Sequence, residues 1–407
     1  MEFQFASRVS SLKTSAVREM LKLTAAKDVI SFGGGLPPNE CFPLVALGAA
    51  LQKILYAQGA RALQYSTTEG CPELRSRIAE RMRARLRVRF GADDILVTTG
   101  SQQALDLTGK VFLDEGDVVF CESPTYLAAI SAFRGCQASF VAVPSDEQGM
   151  IVSELARLAA GCERGRLVYV IPDFQNPSGR TWSLGRRQEL LEVAKRFSLP
   201  ILEDAPYRDL RFDGEELPAL VSLDRDERVI FTSTFSKVLS PGLRIGWVAA
   251  PRPALEKYVL AKQATDLHTS TLAQLLVATF LEDQDLDRHV VSIRAVCQAR
   301  RDAMLRAAAE WLPREVRVSR PAGGLFLWLE LPPEIDAREW LRHCLGRGVA
   351  FVPGDAFFPN GGGLNAARLC FSDSPQGRIV EGLRRMAAAL RELPGAERLS
   401  WPETKAA

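Results

Sequence analysis

Short β-rich apolar runs alternate with helix-patterned stretches between residues 94 and 250, and this alternation leaves few folds open. Near-continuous apolar strands are typical of a parallel sheet that helices cover on both faces. Amphipathic stretches such as 183–197 would supply those helices. The sequence therefore predicts a layered α/β domain with a mostly parallel, seven-stranded sheet. The seven runs are DILVTTG (94–100), DVVFCESP (117–124), ASFVAVP (138–144), RLVYVIPDF (166–174), LPILEDAPY (199–207), RVIFTST (228–234) and RIGWVAAP (244–251).

The pattern changes from about residue 285, where a second and smaller α/β unit is predicted. A long helical pattern over 285–312 precedes two strand-like runs around a Gly-Gly bend. A helix over 337–346, the runs VAFVP and ARLCFS, and a helix over 375–392 follow. The end of the chain, PGAERLSWPETKAA, is typical of a loose tail.

Composition excludes several classes of protein. The chain has 407 residues, enough for two cores, and its net charge of +2 predicts neither nucleic acid nor an anionic membrane as a partner. The eight cysteines show no CxxC pairing, and the three histidines have no metal-ligand spacing. No apolar run is long enough to span a bilayer and no secretory signal is recognisable, so we expect a cytoplasmic protein that binds no metal.

Polar residues follow the predicted strands at the edge where open α/β sheets bind ligands. Gly100 ends the first run, and Ser101 and Gln102 then open a helix. This arrangement makes either an anion-binding cup or an ordinary capped helix. Tyr126 follows the second run and either packs in the core or stacks on a flat ligand. Asn176 lies in the turn after RLVYVIPDF, which could be a simple loop.

The next two strand ends carry a carboxylate and an amine. Asp204 closes an apolar run, so it needs either a structural ion pair or a ligand cation such as a protonated ring nitrogen. Lys237 follows the next run, and a desolvated lysine can act as a nucleophile. The hydroxyls of Thr234 and Ser236, with the guanidinium of Arg244, could share a phosphate.

These residues belong to motifs that run nearly from end to end of the chain. They include ISFGGGLPPNECFP (30–43), LQYSTTEGCPELR (63–75), TTGSQQALDLTGKVFLDEGD (98–117), FQNPSG, EDAPYRDLRF, TFSKVLSPGLRIGW, GGLFLWLELP and ARLCFS. With them, the chain resembles the fold-type I aminotransferases that depend on pyridoxal phosphate. Within that family it is most similar to the branch of 2-aminoadipate and kynurenine aminotransferases.

The resemblance implies a cofactor site. Lys237 would form a Schiff base with pyridoxal 5'-phosphate, Asp204 would pair with its ring nitrogen, and Tyr126 would stack on the ring. Tyr207 and Asn176 would bind the ring hydroxyl. The residues implied for the phosphate are Ser101, Gln102, Thr234, Ser236, Arg244 and, from the partner of a homodimer, Tyr65.

The resemblance also implies a substrate site and a division into domains. Arg368 would bind the substrate α-carboxylate, helped by Asn176 and the backbone near Gly34. Ser15 and Arg18 would lie beside the side chain, although Arg18 could equally be a surface helix charge. We expect an N-terminal segment over 1–45 that joins the small domain and covers the substrate. The large cofactor-binding domain would span 46–290, the small domain 291–395 and the loose tail 396–407.

The predicted reaction moves the amino group of an L-amino acid to a 2-oxo acid such as 2-oxoglutarate by a ping-pong mechanism. The donor would have an acidic, 2-aminoadipate-like side chain or a large apolar or aromatic one. Other pyridoxal-phosphate reactions on this fold, including elimination, decarboxylation and racemisation, stay open. A regulator role is not expected, because the aminotransferase-like sequence begins by about residue 15. A phosphate-binding α/β protein of another kind would leave Lys237, Asp204 and Arg368 unexplained.

Overall fold

The computed structural model describes residues 3–10 and 29–402 and contains a large mixed sheet flanked by helices. The large sheet has the strand order β2-β9-β8-β7-β6-β3-β4-β5. Its strands are β2 (Ile95–Thr99), β3 (Val118–Ser123), β4 (Ser139–Asp146), β5 (Gly149–Met150), β6 (Gly165–Val170), β7 (Ile201–Asp204), β8 (Val229–Thr234) and β9 (Ile245–Ala249). All seven predicted runs form strands, and the two-residue β5 adds an eighth.

The central strands β4, β3, β6, β7 and β8 are parallel neighbours, as predicted. Strand β9 runs antiparallel between β8 and β2, so β2 is parallel to β8. Strands β7, β8 and β9 are buried along their whole length, which explains why they lack polar alternation. The carboxyl ends of β2, β3, β6, β7 and β8 therefore lie at one edge of the sheet.

Helices cover the large sheet and continue into the C-terminal part. A serine or aspartate side chain caps several of them: Ser183 accepts a hydrogen bond from the Arg186 amide, and Asp285 accepts from the amides of Asp287 and Arg288. The helices are α1 (Ser7–Ser10), α2 (Leu44–Ala62), α3 (Pro72–Leu86), α4 (Ser101–Phe112), α5 (Leu127–Arg134), α6 (Val152–Ala160), α7 (Leu184–Arg196), α8 (Leu220–Leu223), α9 (Arg252–Asp266), α10 (Thr271–Asp283), α11 (Leu286–Trp311), α12 (Ala337–Gly346) and α13 (Gln376–Leu390).

The C-terminal part contains a second, antiparallel sheet with the order β10-β11-β14-β13. Its strands are β10 (Arg317–Val318), β11 (Phe326–Glu330), β13 (Val352–Pro353) and β14 (Ala366–Cys370). The N-terminal part joins this region, because β1 (Ile30–Ser31) pairs in parallel with β12 (Val349–Ala350). The boundary predicted between residues 290 and 291 falls inside α11, so one continuous helix connects the two regions.

The prediction of a loose tail over 396–407 is wrong for the residues up to 402. Ala396 and Leu399 are buried, and the Trp401 ring lies 4.4 Å from the Arg391 guanidinium. The Ser400 amide donates to the Glu315 carboxylate. The side chains of Ala396, Leu399 and Trp401 pack against the hydrophobic core, and their burial stabilises this segment. Among the helices that the structure describes, none is long and apolar enough to cross a membrane.

Candidate active site

A cavity of about 240 Å³ lies at the carboxyl edge of the large sheet. It brings together residues that follow five different strands, as the parallel arrangement requires. Its lining residues are Ser101, Gln102, Tyr126, Ile171, Asn176, Asp204, Pro206, Tyr207, Thr234, Ser236, Lys237, Pro241 and Arg244. A larger groove of about 760 Å³ lies at the opposite edge of the sheet, beside Arg166 and Arg228, and none of the predicted site residues line it.

Lys237 is the amine of the cavity. Its Nζ donates a hydrogen bond of 2.8 Å to the Gly35 carbonyl oxygen. Burial lowers the pKa of Lys237 to about 8, although the neighbouring Cys370 and Asp204 favour its charged form. A lysine with this pKa is neutral much more often at physiological pH than an exposed one, so it is a better nucleophile and base.

Asp204 is the carboxylate of the cavity and closes β7. Its Oδ2 accepts a hydrogen bond of 2.9 Å from the Tyr169 hydroxyl, whereas its Oδ1 is buried without a partner in the part of the chain described here. Burial raises the pKa of Asp204 to about 7. A buried carboxylate oxygen without a partner is costly, and a protonated ring nitrogen would satisfy it.

The hydroxyl and guanidinium groups predicted for the phosphate lie around the first turn of α4. Thr234 Oγ1 lies 2.9 Å from Ser236 Oγ and 2.9 Å from the Ile245 carbonyl oxygen. Arg244 follows a short 3-10 turn with φ of 55°, which directs its guanidinium towards the Thr99 carbonyl. A Cβ atom on Gly100 would lie 2.4 Å from Arg244 Nη2, so the absence of a side chain there leaves room for the guanidinium beside the helix N-terminus.

Two tyrosines and one asparagine line the part of the cavity beside Lys237 and Asp204. Asn176 Nδ2 donates to the Tyr207 hydroxyl at 3.3 Å. Burial raises the pKa of Tyr126 and of Tyr207, so both phenols remain protonated and can donate hydrogen bonds. The Tyr126 side chain is only partly buried, because one part of it borders the cavity.

Arg368, on β14, enters the same region from the C-terminal sheet. Its Nη1 donates to Asn176 Oδ1 at 3.0 Å, and its Nη2 donates to the carbonyls of Gly33 and Gly34 at 2.8 and 2.6 Å. The guanidinium is buried and lies 4.2 Å from the Phe326 ring. Its Nε has no partner among the residues that the structure describes. Burial lowers the pKa of Arg368, because a guanidinium removed from water loses the hydration of its charge. An anionic ligand would compensate for that loss, so anion binding is favoured here.

Among the predicted residues that the structure describes, Tyr65 lies apart from this group. Tyr65 is 79% exposed and does not line the cavity of its own chain, and its ring contacts the His268 ring edge-on at 5.8 Å. Ser15 and Arg18 lie outside the described residues.

Three further residues, which no sequence motif singles out, contact the predicted ones. Tyr169 contacts Asp204, Gly35 contacts Lys237, and Phe326 contacts Arg368. Tyr169 does carry a signal in the sequence: a tyrosine inside an otherwise apolar buried strand needs a partner for its hydroxyl. The contact with the Gly35 carbonyl has no such signal, because it joins positions far apart in sequence.

These residues fit pyridoxal phosphate by their chemistry. The buried Asp204 Oδ1 lacks the cationic partner that a ring nitrogen would supply, and the amine of Lys237 lines the same cavity. Hydroxyls, a guanidinium and a helix N-terminus lie together at one end, as a phosphate group requires.

Comparisons with known proteins agree with this chemistry. The profile of the family described as "Aminotransferase class I and II" matches residues 27–385. Aromatic-amino-acid aminotransferase 1 of Thermococcus litoralis is 42% identical, over 96% of this chain and 95% of its own length. The 2-aminoadipate transaminase of Thermus thermophilus is 43% identical, over 96% of this chain and 97% of its own length.

A solved structure shares the fold over nearly the whole chain. It is the α-aminoadipate aminotransferase LysN of Thermus thermophilus, complexed with N-(5'-phosphopyridoxyl)-L-leucine. The TM-score is 0.89 at 42% identity, and the match covers 95% of this chain and 97% of that one. The chain therefore belongs to the class I and II aminotransferases, enzymes that use pyridoxal phosphate to transfer amino groups between amino acids and 2-oxo acids.

Proposed function

We propose that the cavity at the carboxyl edge of the sheet performs amino-group transfer with Lys237 as its catalytic amine. One observation carries this assignment: the cavity is lined by both the amine of Lys237 and the carboxylate of Asp204, whose Oδ1 has no partner among the described residues. When bound, pyridoxal phosphate supplies an aldehyde that accepts amines and a ring that withdraws electrons from the substrate Cα.

The proposed cofactor contacts follow from the chemistry of each group. Asp204 Oδ1 binds the ring nitrogen and Tyr126 packs on the ring face, while Tyr207 and Asn176 donate to the ring hydroxyl. The phosphate is bound by Arg244 and by the groups at the helix N-terminus and the end of β8, which are Ser101, Gln102, Thr234 and Ser236.

Lys237 moves the protons in this proposal. With a pKa of about 8, its Nζ accepts the proton that leaves the substrate Cα and later releases it, acting first as a base and then as an acid. The Gly35 carbonyl, 2.8 Å away, holds Nζ in the cavity before substrate binds.

Arg368 is the proposed site of the substrate α-carboxylate, together with Asn176 and the Gly34 backbone. The planar guanidinium suits a carboxylate because it can donate two parallel hydrogen bonds. Two of its donors contact the Gly33 and Gly34 carbonyls and Asn176, and substrate would replace part of these contacts. We therefore propose that the segment around Gly34 shifts when the amino acid binds.

The proposed donor is an L-amino acid with an acidic, 2-aminoadipate-like side chain or a large apolar or aromatic one, and the proposed acceptor is 2-oxoglutarate. The names of the two relatives, which refer to aromatic amino acids and to 2-aminoadipate, support both kinds of side chain. Ser15 and Arg18 are proposed to contact the side chain of the donor. Replacing Arg18 with Ala should raise KM for acidic donors and leave KM for leucine unchanged.

A homodimer with shared sites is proposed as the working form. Large apolar side chains are exposed on α2 and just beyond it, including Val45, Tyr56 and Leu63, with Tyr65 nearby. Exposed apolar patches of this kind are typical of protein interfaces. A cytoplasmic location is proposed because none of the eight cysteines forms a disulfide, and the buried ones behave as apolar core residues.

The test is amino-group transfer measured across a panel of donors with 2-oxoglutarate as acceptor, using purified protein loaded with pyridoxal phosphate. A transferase requires the acceptor for turnover, whereas a lyase releases keto acid without it. Lys237→Ala should remove both the visible absorption band of the covalently bound cofactor and the turnover. Turnover that persists in Lys237→Ala would refute the assignment.

A further inference from the structure

Tyr169 is a buried polar residue that the proposed mechanism does not use. It lies on β6 between the apolar residues Val168 and Val170, and its side chain is only 1% exposed. Its ring packs edge-on against Phe133 at 5.7 Å, on the side of the sheet that helix α5 covers. A phenylalanine would fill the same space, so packing alone does not account for the hydroxyl.

The hydroxyl makes a directed contact with the active site. Strands β6 and β7 are parallel neighbours, and the Tyr169 hydroxyl donates to Asp204 Oδ2 at 2.9 Å. The other carboxylate oxygen, Oδ1, is buried, has no partner within the described ranges, and belongs to a residue that lines the cavity. The hydrogen bond therefore restrains the plane of the carboxylate and leaves one oxygen available to a ligand.

The direction of this hydrogen bond is set by electrostatics. Burial raises the pKa of Tyr169 well above its ordinary value, and the adjacent Asp204 raises it further, so the phenol keeps its proton. Burial also raises the pKa of Asp204, while the hydrogen bond from Tyr169 and the charge of Lys237 lower it. Tyr169 is thus always the donor, and its hydrogen bond favours the anionic carboxylate.

We propose that Tyr169 is a positioning residue that keeps Asp204 anionic with Oδ1 facing the cavity, so that the shared proton stays on the cofactor's ring nitrogen. This inference rests on the proposed pairing of Asp204 with that nitrogen. A carboxylate without the Tyr169 hydrogen bond binds a proton more tightly, and the proton shifts from the ring nitrogen towards Asp204. The ring then withdraws electrons less strongly, and removal of the Cα proton slows.

The first experiment compares Tyr169→Phe with the wild-type enzyme, both loaded with pyridoxal phosphate labelled with ¹⁵N at the ring nitrogen. The ¹⁵N chemical shift reports directly whether that nitrogen is protonated. We expect the signal of Tyr169→Phe to move towards the unprotonated value. The apoprotein variant should also bind pyridoxal phosphate roughly tenfold more weakly, and kcat/KM should fall by roughly tenfold or more, since hydrogen bonds to charged groups are the stronger ones.

Tyr258→Phe is the matched control. Tyr258 is equally buried and its hydroxyl lies 2.7 Å from Thr108 Oγ1, away from the residues that line the cavity. Both variants lose one buried phenolic hydrogen bond, so we expect the melting temperature of both apoproteins to decrease. Only Tyr169→Phe should change the ¹⁵N signal. An unchanged signal in Tyr169→Phe, or equal losses of cofactor affinity in the two variants, would overturn the inference.

A double-mutant cycle with Asp204→Asn separates this inference from the function on which it rests. If Tyr169 acts through Asp204, adding Tyr169→Phe to Asp204→Asn should lower kcat/KM little further. If the fold decreases in kcat/KM of the two single variants multiply in the double variant, Tyr169 acts independently of Asp204 and the inference is refuted. A normal protonated ¹⁵N signal in Asp204→Asn alone would instead refute the proposed role of Asp204.

Discussion

At the scale of single residues, removal from water determines the chemistry of the site. Burial lowers the pKa of Lys237 to about 8 and raises the pKa of Asp204 to about 7. In both groups the charged form is disfavoured, and the two pKa values come close to the pH at which an enzyme works. Burial in the fold thus makes Lys237 a stronger acid, and Asp204 a weaker acid, than the same side chains in water.

The pKa of Lys237 predicts how covalent loading of the apoprotein depends on pH. Only the neutral amine attacks an aldehyde, and about a tenth of the Lys237 amines are neutral one unit below the pKa. The rate of loading should therefore rise with pH and level off above about 8. Stopped-flow absorbance after mixing apoprotein with pyridoxal phosphate measures it. A midpoint near 10.5, the ordinary value of lysine, would contradict the lowered pKa.

At the scale of elements, the site depends on how strands end and helices begin. Gly100 lies between β2 and α4 with φ of 72°, and Arg244 precedes β9 with φ of 55°. These two left-handed residues bring a guanidinium against a helix N-terminus. This backbone geometry places the Arg244 guanidinium beside the N-terminus of α4, where we propose that the phosphate binds.

Gly100→Ala tests this arrangement. The backbone conformation of Gly100 is one that only glycine adopts readily, and the added Cβ would collide with Arg244 Nη2. We expect a loss of about 1–3 kcal/mol in the free energy of unfolding and weaker binding of pyridoxal phosphate. Gly185→Ala is the control, because nothing lies within 4 Å of the position of its Cβ. Equal cofactor affinity in the two variants would contradict the role of Gly100.

A buried ion cluster connects β6 with the loop that carries Tyr207. Asp173 is buried and forms ion pairs with Arg187, Arg208 and Arg211. Burial opposes its ionisation, but the three guanidinium groups outweigh burial and lower the pKa of Asp173. Because this pKa is lowered, the stability that the cluster contributes is present at neutral pH and is lost as the pH falls through the pKa of the folded state.

Asp173→Asn should destabilise the protein more than a surface change of the same kind. The substitution leaves buried guanidinium groups without their carboxylate, which costs about 3–5 kcal/mol. Urea denaturation at neutral pH measures the free energy of unfolding, and Asp93→Asn, whose carboxylate is largely exposed, is the control. The difference between Asp173→Asn and the wild type should shrink in acid. A difference that stays constant with pH would contradict the account.

At the scale of the whole molecule, the site is complete only where distant regions meet. Arg368 and the Gly33–Gly34 carbonyls come from the C-terminal and N-terminal parts of the chain, which β1 and β12 join. The large sheet provides Lys237 and Asp204. In the proposed dimer, a second copy also provides Tyr65.

Mixing two inactive variants tests whether Tyr65 acts across a dimer. A heterodimer of Tyr65→Ala and Lys237→Ala contains one site with both native residues if Tyr65 serves the neighbouring chain. Subunit exchange at equal concentrations should then restore about a quarter of the wild-type activity, since half of the dimers are mixed and each has one good site. Sedimentation of each variant checks that dimers form. Activity no higher than the average of the two variants would show that Tyr65 serves its own chain.

The sequence alone determined the order of the elements and most of the residues that follow the strands. Near-continuous apolar runs predict buried parallel strands, and parallel strands end at one edge, so Lys237, Asp204, Asn176 and Tyr126 could be grouped without coordinates. These inferences need only local patterns. The insertion of β9 between β2 and β8 was not predictable in this way, because the order of strands depends on the packing of the complete sheet.

Only the tertiary structure decided which atoms meet inside the site. The hydrogen bonds from Tyr169 to Asp204, from Lys237 to Gly35 and from Arg368 to Gly34 join positions separated by 35, 202 and 334 residues. Tyr169 has the same apolar sequence neighbours whether or not a carboxylate lies beside its hydroxyl. Such contacts depend on the relative placement of strands and domains, which hydrophobic periodicity and turn residues do not encode.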